Sequence, residues 1–234
     1  MTENHTPEPE LIVALDVDSP EAALDLVRKV GDAVRWYKIG KQLFTRHGPS
    51  VVSRLKQAGK NVFLDLKYHD IPNTVEQAVR SAAAVGADLT TVHASGGGAM
   101  LEAAARAGRE AGIQVVAVTV LTSLDDAALE AVGVHDPAER QVARLAALAK
   151  SSGVDGVVCS PLEIGTVREV CGPDFMLVVP GIRPAGSSRG DQKRVMTPGE
   201  AAAAGAQYIV VGRPIRQAEN PSQAARAILA ELGR

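Results

Sequence analysis

The chain has 234 residues, of which 46% are hydrophobic and 22% charged, proportions typical of a globular protein with one large α/β domain or two small ones. Its formal net charge of −2 and aromatic content of 3% argue against a nucleic-acid-binding surface or a base-stacking platform. No apolar run approaches the roughly 18 residues that a membrane span needs. The only cysteines are Cys159 and Cys171, so we expect a cytoplasmic protein without a disulfide framework.

The first residues differ from the rest of the chain. Residues 1–10 are polar and acidic, and they contain two prolines. They lack the basic and apolar regions of a signal peptide. We therefore expect a short flexible tail over residues 1–10.

Short apolar runs alternate with helix-sized segments along the rest of the chain. The runs, which predict strands buried on both faces, cover residues 11–17, 34–40, 61–66, 87–93, 114–120, 154–159, 175–179 and 207–211. Helix signals separate them; for example, Ser19 and Pro20 begin a predicted helix that stops at Gly31, and one helix is predicted between the second and third strands. Each connection can serve as a crossover between parallel strands.

Eight such strand–helix units predict a single α/β domain, a (β/α)8 TIM barrel over residues 11–234. A doubly wound open sheet is the alternative, although the first turn lacks the glycine-rich dinucleotide motif. In a barrel, the functional site lies at the carboxyl ends of the strands.

Polar side chains accumulate at the predicted strand ends. These residues are Asp16, Lys38, Asp65, Lys67, His93, Thr119, Thr122, Ser160, Arg183 and Arg213. Alternation along a strand places Phe63, Asp65 and Lys67 on one face. The pattern therefore predicts a site at this end of the barrel.

One group of these residues alternates in charge: Asp16, Lys38, Asp65, Lys67 and Asp70. Each ion favours the charged form of its neighbour, and such a fixed array can stabilise developing negative charge and supply a proton. Two alternatives remain at this point. The group could be a structural ion pair at a strand end, or the aspartates could bind Mg²⁺, although two lysines make a divalent site less attractive.

A second group follows the last two strands, where such barrels commonly bind phosphate. Its members are Gly181, Arg183, Gln192, Gly212 and Arg213. Glycine lets backbone N–H groups approach an anion, and arginine offers a planar pair of donors. The alternative is an exposed loop whose glycines only make turns. Residues 180–194 form a candidate lid, and His93 is predicted to be a structural or supporting residue.

The segment Phe63–Thr74 resembles the signature of the orotidine 5′-phosphate decarboxylase family. The resemblance covers nearly the whole chain. It extends to Leu15–Val17, Lys38–Gly40, Val92–Gly96, Val120–Ser123, Pro180–Arg183, Gln192 and Gly212-Arg213.

This resemblance implies decarboxylation of orotidine 5′-monophosphate to UMP and CO2, the last step of de novo pyrimidine biosynthesis, without metal or cofactor. In the family, the lysine that matches Lys67 protonates C6 of the pyrimidine. The match to Asp65 lies beside the substrate carboxylate. The match to Asp70 comes from the other subunit of a homodimer.

The remaining matches concern substrate binding. Asp16 and Lys38 match residues that hold the ribose hydroxyls and complete the charge network, and Thr122 matches a pyrimidine contact. Ile71 and Thr74 match residues that cross the dimer interface. The phosphate-binding positions are matched by Arg183, Gln192, Gly212 and Arg213.

Two rival interpretations belong to other classes. Related sugar-phosphate enzymes, 3-keto-gulonate-6-phosphate decarboxylase and hexulose-phosphate synthase, share the Asp-x-Lys-x-x-Asp spacing but use Mg²⁺. Lys38, Thr122 and the Arg183–Gln192 loop favour a nucleotide and a metal-free site instead. A non-catalytic nucleotide-binding barrel or scaffold predicts a broken charge array, whereas every member of the array is present.

Overall fold

The structure is a computed structural model that describes residues 8–184 and 196–234. In these residues, eight parallel strands close into a barrel in chain order, and the eighth strand pairs with the first. The strands are β1 (Glu10–Ala14), β2 (Trp36–Gly40), β3 (Asn61–Tyr68), β4 (Leu89–His93), β5 (Gln114–Val118), β6 (Gly156–Val158), β7 (Met176–Val179) and β8 (Tyr208–Val211). The predicted (β/α)8 barrel is confirmed, and the open-sheet alternative is wrong.

Helices connect the strands. Within the described residues they are α1 (Pro20–Val30), α2 (Lys41–His47), α3 (Ser50–Gln57), α4 (Pro72–Ala84), α5 (Gly98–Ala111), α6 (Asp126–Glu130), α7 (Ala138–Ser151), α8 (Ile164–Cys171), α9 (Pro198–Ala203), α10 (Arg213–Arg216) and α11 (Pro221–Glu231). Short 3₁₀ turns precede α5 and α8, at Ala94–Gly96 and Pro161–Glu163. None of the helices in the described ranges is long and apolar enough to cross a bilayer.

The helix boundaries follow local sequence signals. Ser19 caps α1 as predicted, because its hydroxyl accepts a hydrogen bond from the Ala22 amide at 3.1 Å. The single helix predicted between β2 and β3 is wrong, since two helices, α2 and α3, lie there. Gly48 takes a positive φ of 63° at the end of α2, and Pro49 follows it. This pair interrupts the helix because proline has no amide hydrogen to donate.

Alternation along the strands separates the barrel interior from its outer face. The buried interior side chains are Ile12, Ala14, Trp36, Phe63, Leu89, Val116, Val178 and Val210. The intervening residues, such as Val13 and Leu64, belong to the core between strands and helices. The predicted parity is confirmed, because Phe63 is an interior residue and Asp65 lies two positions further along β3.

The barrel includes one residue of the predicted tail. The Glu10 amide donates a hydrogen bond to the Gln207 carbonyl at 2.8 Å, and its carboxylate pairs with Arg234 at 2.7 Å. These contacts extend β1 to Glu10, so the predicted boundary at residue 11 is one residue late. Residues 1–7 lie outside the described part of the chain.

Candidate active site

Two lysines hold one buried aspartate at the carboxyl end of the barrel. Lys67 Nζ lies 2.6 Å from Asp65 Oδ1, and Lys38 Nζ lies 3.7 Å from Asp65 Oδ2. Lys38 Nζ also contacts Asp16 Oδ1 at 3.3 Å. The structure thus joins four of the five predicted charged residues into one network of alternating sign. We call Asp16, Lys38, Asp65 and Lys67 the charge array.

Asp65 is the central anion of this array. Burial alone would raise the pKa of its carboxyl group. The charges of Lys38 and Lys67, with hydrogen bonds from Lys67 and Thr91, outweigh burial and hold the pKa below its usual value. Asp65 is therefore an ionised carboxylate at neutral pH, with an exposed side-chain fraction of only 11%.

The backbone of Lys67 is strained. Among the described residues outside glycine, only Lys67 has a positive φ, at 53°. The pairing of β3 with β4 shifts register between Leu64 and Tyr68, around this residue. A left-handed conformation costs a residue with a side chain about 1–2 kcal/mol. Such strain persists only where surrounding contacts impose it, and it is common at functional sites.

Thr91 supplies a contact that imposes this conformation, and it was missed in the sequence. Its buried hydroxyl accepts a hydrogen bond from the Lys67 amide at 2.8 Å and donates one to Asp65 Oδ1 at 3.1 Å. Thr91 therefore fixes both members of the ion pair. Strand parity could have identified it, since Thr91 lies two residues after the interior residue Leu89.

Gly40 was also missed as a site residue. A Cβ atom at this position would lie 3.1 Å from Lys38 Nζ and 3.5 Å from Asp16 Oδ1. The absence of a side chain therefore leaves room for the Lys38–Asp16 pair.

A cavity of about 170 Å³ lies beside the charge array, and we call it the central cavity. Lys38, Asp65, Lys67 and the predicted site residue Thr122 line it. The rest of its lining is mainly apolar and includes Phe63, Val118, Val120, Leu121, Val158, Val178 and Val210. Apolar walls lower the local dielectric constant, so they strengthen the interactions of the fixed charges.

A second cavity of about 250 Å³, the arginine cavity, shares Lys38, Pro180 and Val210 with the first. The structure brings together four predicted phosphate-site residues in its lining: Gly181, Arg183, Gly212 and Arg213. Gln192 and most of the predicted lid over residues 180–194 lie outside the described residues.

Arg183 contributes positive charge to the arginine cavity, and Gly212 contributes to its shape. Burial, and then the positive charge of Arg213, lower the pKa of the Arg183 guanidinium, although arginine remains protonated at neutral pH. A Cβ at Gly212 would lie 3.4 Å from Ala14 Cβ and 3.6 Å from Asp16 Oδ2. The chain therefore passes close to β1 at this position. The positive charges of Arg183 and Arg213 make the cavity suited to an anion.

The segment 69–74 contributes no ion pair to the charge array of its own chain within the described residues. All six of its residues are exposed, and the Ile71 side chain is exposed to 66%. The Asp70 carboxylate accepts a hydrogen bond from the Ile71 amide at 2.7 Å and makes no ion pair within the described residues. The expectation that Asp70 joins the array is therefore not met within one chain. Thr74 is likewise exposed, near the start of α4.

His93 lies next to the array at the end of β4. Its ring centroid is 5.4 Å from that of His69. Burial, followed by the positive charges of His69, Lys67 and Lys41, lowers the pKa of His93 to about 4. His93 is therefore neutral at pH 7, in keeping with the supporting role predicted for it.

Replacement of this histidine should alter the pH dependence of stability. As the pH falls from 6.5 towards 4, the unfolded state binds a proton at His93 that the folded state does not bind, so the wild-type protein loses stability. We expect His93→Gln to lack this loss. The difference in the free energy of unfolding, variant minus wild type, should therefore be about 1–3 kcal/mol larger at pH 4.5 than at pH 7.5.

Urea unfolding at both pH values, at one protein concentration, measures this difference. The control is His135→Gln, which removes an imidazole whose side chain is 78% exposed. An unchanged difference between His93→Gln and wild type at the two pH values would contradict the prediction.

Thr119, another of the predicted polar strand ends, has a structural contact. Thr119 donates a hydrogen bond to the Val158 carbonyl at 3.1 Å. Cys159 and Cys171 are free cysteines buried in the hydrophobic core. Residues 8–184 and 196–234 contain no group of three or more His, Cys, Asp or Glu side chains with metal-binding geometry.

Comparison with known proteins gives a consistent result. The sequence profile of the orotidine 5′-phosphate decarboxylase / HUMPS family matches residues 9–228. A curated orotidine 5′-phosphate decarboxylase from Anaeromyxobacter sp. (strain K) is 55% identical over 226 residues, covering 97% of this chain and 99% of the relative. One from Methylobacterium radiotolerans is 52% identical over 232 residues, covering 99% and 100%.

Solved structures agree with the sequence comparison. The crystal structure of orotidine 5′-phosphate decarboxylase from Lactobacillus acidophilus superimposes with a TM-score of 0.85 at 42% identity, covering 97% of this chain and 100% of that one. A second structure, of an uncharacterized conserved protein from Geobacillus kaustophilus, gives a TM-score of 0.83 at 40% identity. It covers 95% of this chain and 99% of that one.

Proposed function

The chain belongs to the orotidine 5′-phosphate decarboxylase / HUMPS family and is a decarboxylase, and on this premise we propose that it converts orotidine 5′-monophosphate to UMP and CO2 in pyrimidine biosynthesis. The observation that carries the proposal is the charge array, which lies between an apolar cavity and an arginine-lined cavity. A substrate with a planar ring, a ribose and a phosphate requires these three environments in this order.

The two cavities accommodate opposite ends of this substrate. The phosphate lies in the arginine cavity, where Arg183, Arg213 and the Gly212 backbone bind it, and Gln192 is proposed to join them. The ribose lies over Asp16 and Lys38, which bind its hydroxyls. The pyrimidine enters the central cavity, where Thr122 contacts it.

The chemistry follows from the position of Lys67. The bond between C6 and the carboxylate breaks, CO2 leaves, and the electron pair remains on C6, where no conjugated group can accept it. The Lys67 ammonium stabilises this charge and transfers a proton to C6, and the resulting amine regains a proton from solvent. Neither a metal nor a cofactor is required for this sequence.

Asp65 contributes by its own charge. It is ionised and buried, so a substrate carboxylate placed beside it is repelled in the ground state. This repulsion disappears as CO2 leaves, whereas the attraction between the array and the developing carbanion increases. Phosphate binding in the arginine cavity supplies the free energy that holds the substrate in this position.

A partner subunit completes the site in this proposal. Asp70 and Ile71 are exposed to solvent in the segment 69–74. In a symmetric homodimer, such a segment contacts the partner, and the partner's segment contacts this chain in return. We propose that Asp70, Ile71 and Thr74 serve the neighbouring site, and that the homodimer is cytoplasmic, as two unpaired cysteines favour.

Turnover in the presence of a chelator tests the proposal against the Mg²⁺-dependent sugar-phosphate enzymes. Both Asp65 oxygens have cationic or hydroxyl neighbours in the structure, which leaves the carboxylate poorly suited to a divalent cation. We expect the absorbance of orotidine 5′-monophosphate to fall at the same rate with EDTA as with added Mg²⁺.

Two results would count against this assignment. Activity that disappears in EDTA and returns with Mg²⁺ would indicate a metal-dependent enzyme. Absence of turnover under both conditions, in protein shown to be folded by circular dichroism, would indicate a different substrate.

A further inference from the structure

Arg216 is a residue of the arginine cavity to which neither the sequence nor the proposed mechanism gives a role. It is the last residue of α10 and contributes to the cavity lining together with Arg183 and Arg213. Its Nε atom is buried without a hydrogen-bond partner, and its guanidinium makes no ion pair within the described residues. A buried donor without an acceptor is unfavourable, so this atom requires explanation.

The local fold directs Arg216 towards the cavity. Arg213 and Arg216 are three residues apart on α10, and residues at this spacing lie on the same helical face. The Ile215 side chain between them is completely buried and anchors the helix on the opposite side. The Arg216 amide donates a hydrogen bond to the Gly212 carbonyl at 3.0 Å, which fixes the turn.

The side chains that line the arginine cavity carry an excess of positive charge. The ionisable residues in its lining are Asp16, Lys38, Arg183, Arg213 and Arg216. Asp16, the single acid among them, already contacts Lys38 at 3.3 Å. Burial, and then the positive charge of Arg213, lower the pKa of Arg183, as expected for two like charges that share one cavity. A bound dianion would remove this repulsion.

A purely structural role for Arg216 would require an acceptor on its other side. There it lines a groove with Asp25, Lys29 and Glu219. Asp25 pairs with Lys29 at 2.8 Å and with Arg28 at 3.4 Å, so this carboxylate has partners of its own. Within residues 8–184 and 196–234, no hydrogen bond or ion pair joins the Arg216 side chain to Asp25 or to Glu219, so the groove does not satisfy its guanidinium.

We propose that Arg216 is a third guanidinium of the phosphate site and donates to the phosphate dianion of the bound nucleotide. This inference rests on the proposed function, which places the phosphate in the arginine cavity. Because Nε is enclosed by protein atoms, the guanidinium donates to the dianion through its terminal nitrogens. Arg216 acts in binding only, since it lines the arginine cavity and is absent from the lining of the central cavity.

The dissociation constants of UMP and uridine, measured by calorimetry at one salt concentration, test this role. Charge-assisted hydrogen bonds are strong, so Arg216→Gln should weaken UMP binding about 10-fold or more. Uridine affinity should be unchanged, because uridine lacks the phosphate. Arg216→Lys should retain part of the preference for UMP, because it keeps the charge. Arg226→Gln is the matched control, since Arg226 is an exposed arginine on α11 and lines neither cavity.

Inorganic phosphite gives a second readout. It should accelerate decarboxylation of a substrate that lacks the phosphate group, and Arg216→Gln should reduce this acceleration. UMP affinity within two-fold of wild type in Arg216→Gln would overturn the inference. If Arg213→Ala abolishes the preference for UMP but Arg216→Gln does not, only the role of Arg216 is wrong. If wild-type protein does not distinguish UMP from uridine, the proposed function fails as well.

Discussion

Lys67→Met is expected to lower turnover by at least ~10⁴-fold in a protein that still folds. Methionine keeps an unbranched side chain of similar length but removes the ammonium that lies 2.6 Å from Asp65 Oδ1. No other group is proposed to transfer a proton to C6, and Lys38, the nearest other cation to Asp65, is 3.7 Å from Oδ2. Initial rates at saturating substrate measure the loss.

The affinity for UMP should change far less, because the phosphate contacts lie in the arginine cavity. Lys29→Met is a matched control: Lys29 also pairs with an aspartate, at 2.8 Å from Asp25, but its side chain is 59% exposed on α1. Circular dichroism and thermal unfolding establish that both variants are folded. Near-normal turnover in Lys67→Met would show that Lys67 is not the proton donor.

The barrel could be predicted because independent local signals agreed. Apolar runs predicted the strands, and cap residues such as Ser19 predicted where the helices begin. Alternation then correctly placed Phe63, Asp65 and Lys67 on one side of β3, where they line the same cavity. The errors occurred where tertiary contacts decide the structure. Glu10 joins β1 because Gln207 and Arg234 provide partners for it, and both are distant in sequence.

The site could be predicted only in part, for a related reason. Charged residues at strand ends are visible in a sequence, and the structure brings most of them together. Thr91 was missed because a neutral hydroxyl in a strand gives no signal until its neighbours are known. The positive φ of Lys67 likewise depends on the shifted pairing of β3 with β4.

Asp70 shows that spacing along the sequence does not decide which residues share a site. It follows Lys67 by three residues, which suggested that both belong to one array. The strand ends at Tyr68, however, and the following turn places Asp70 in an exposed position. Sequence distance therefore does not decide which subunit's site the carboxylate serves. An experiment on mixed subunits can decide this.

Mixing inactive Lys67→Met subunits with inactive Asp70→Asn subunits is expected to restore about one quarter of wild-type activity, if the subunits of a symmetric dimer exchange at random. Half of the dimers are then hybrids. In each hybrid, one site combines the intact Lys67 of one chain with the intact Asp70 of the other, whereas the second site contains both substitutions. Purified hybrids, selected with two different affinity tags, should therefore have about half of wild-type activity.

The same mixture distinguishes the alternative in which Asp70 serves its own chain. Every site would then carry one substitution, and no activity would return. Mixing Lys67→Met with Asp65→Asn provides the matched control, because Asp65 and Lys67 of one chain are in direct contact at 2.6 Å and must serve the same site. Hybrids of this pair should stay inactive, because one site carries Lys67→Met and the other carries Asp65→Asn when each array comes whole from one chain. Activity in the Asp70 mixture that is no higher than in this control would contradict the exchange of segment 69–74 between subunits.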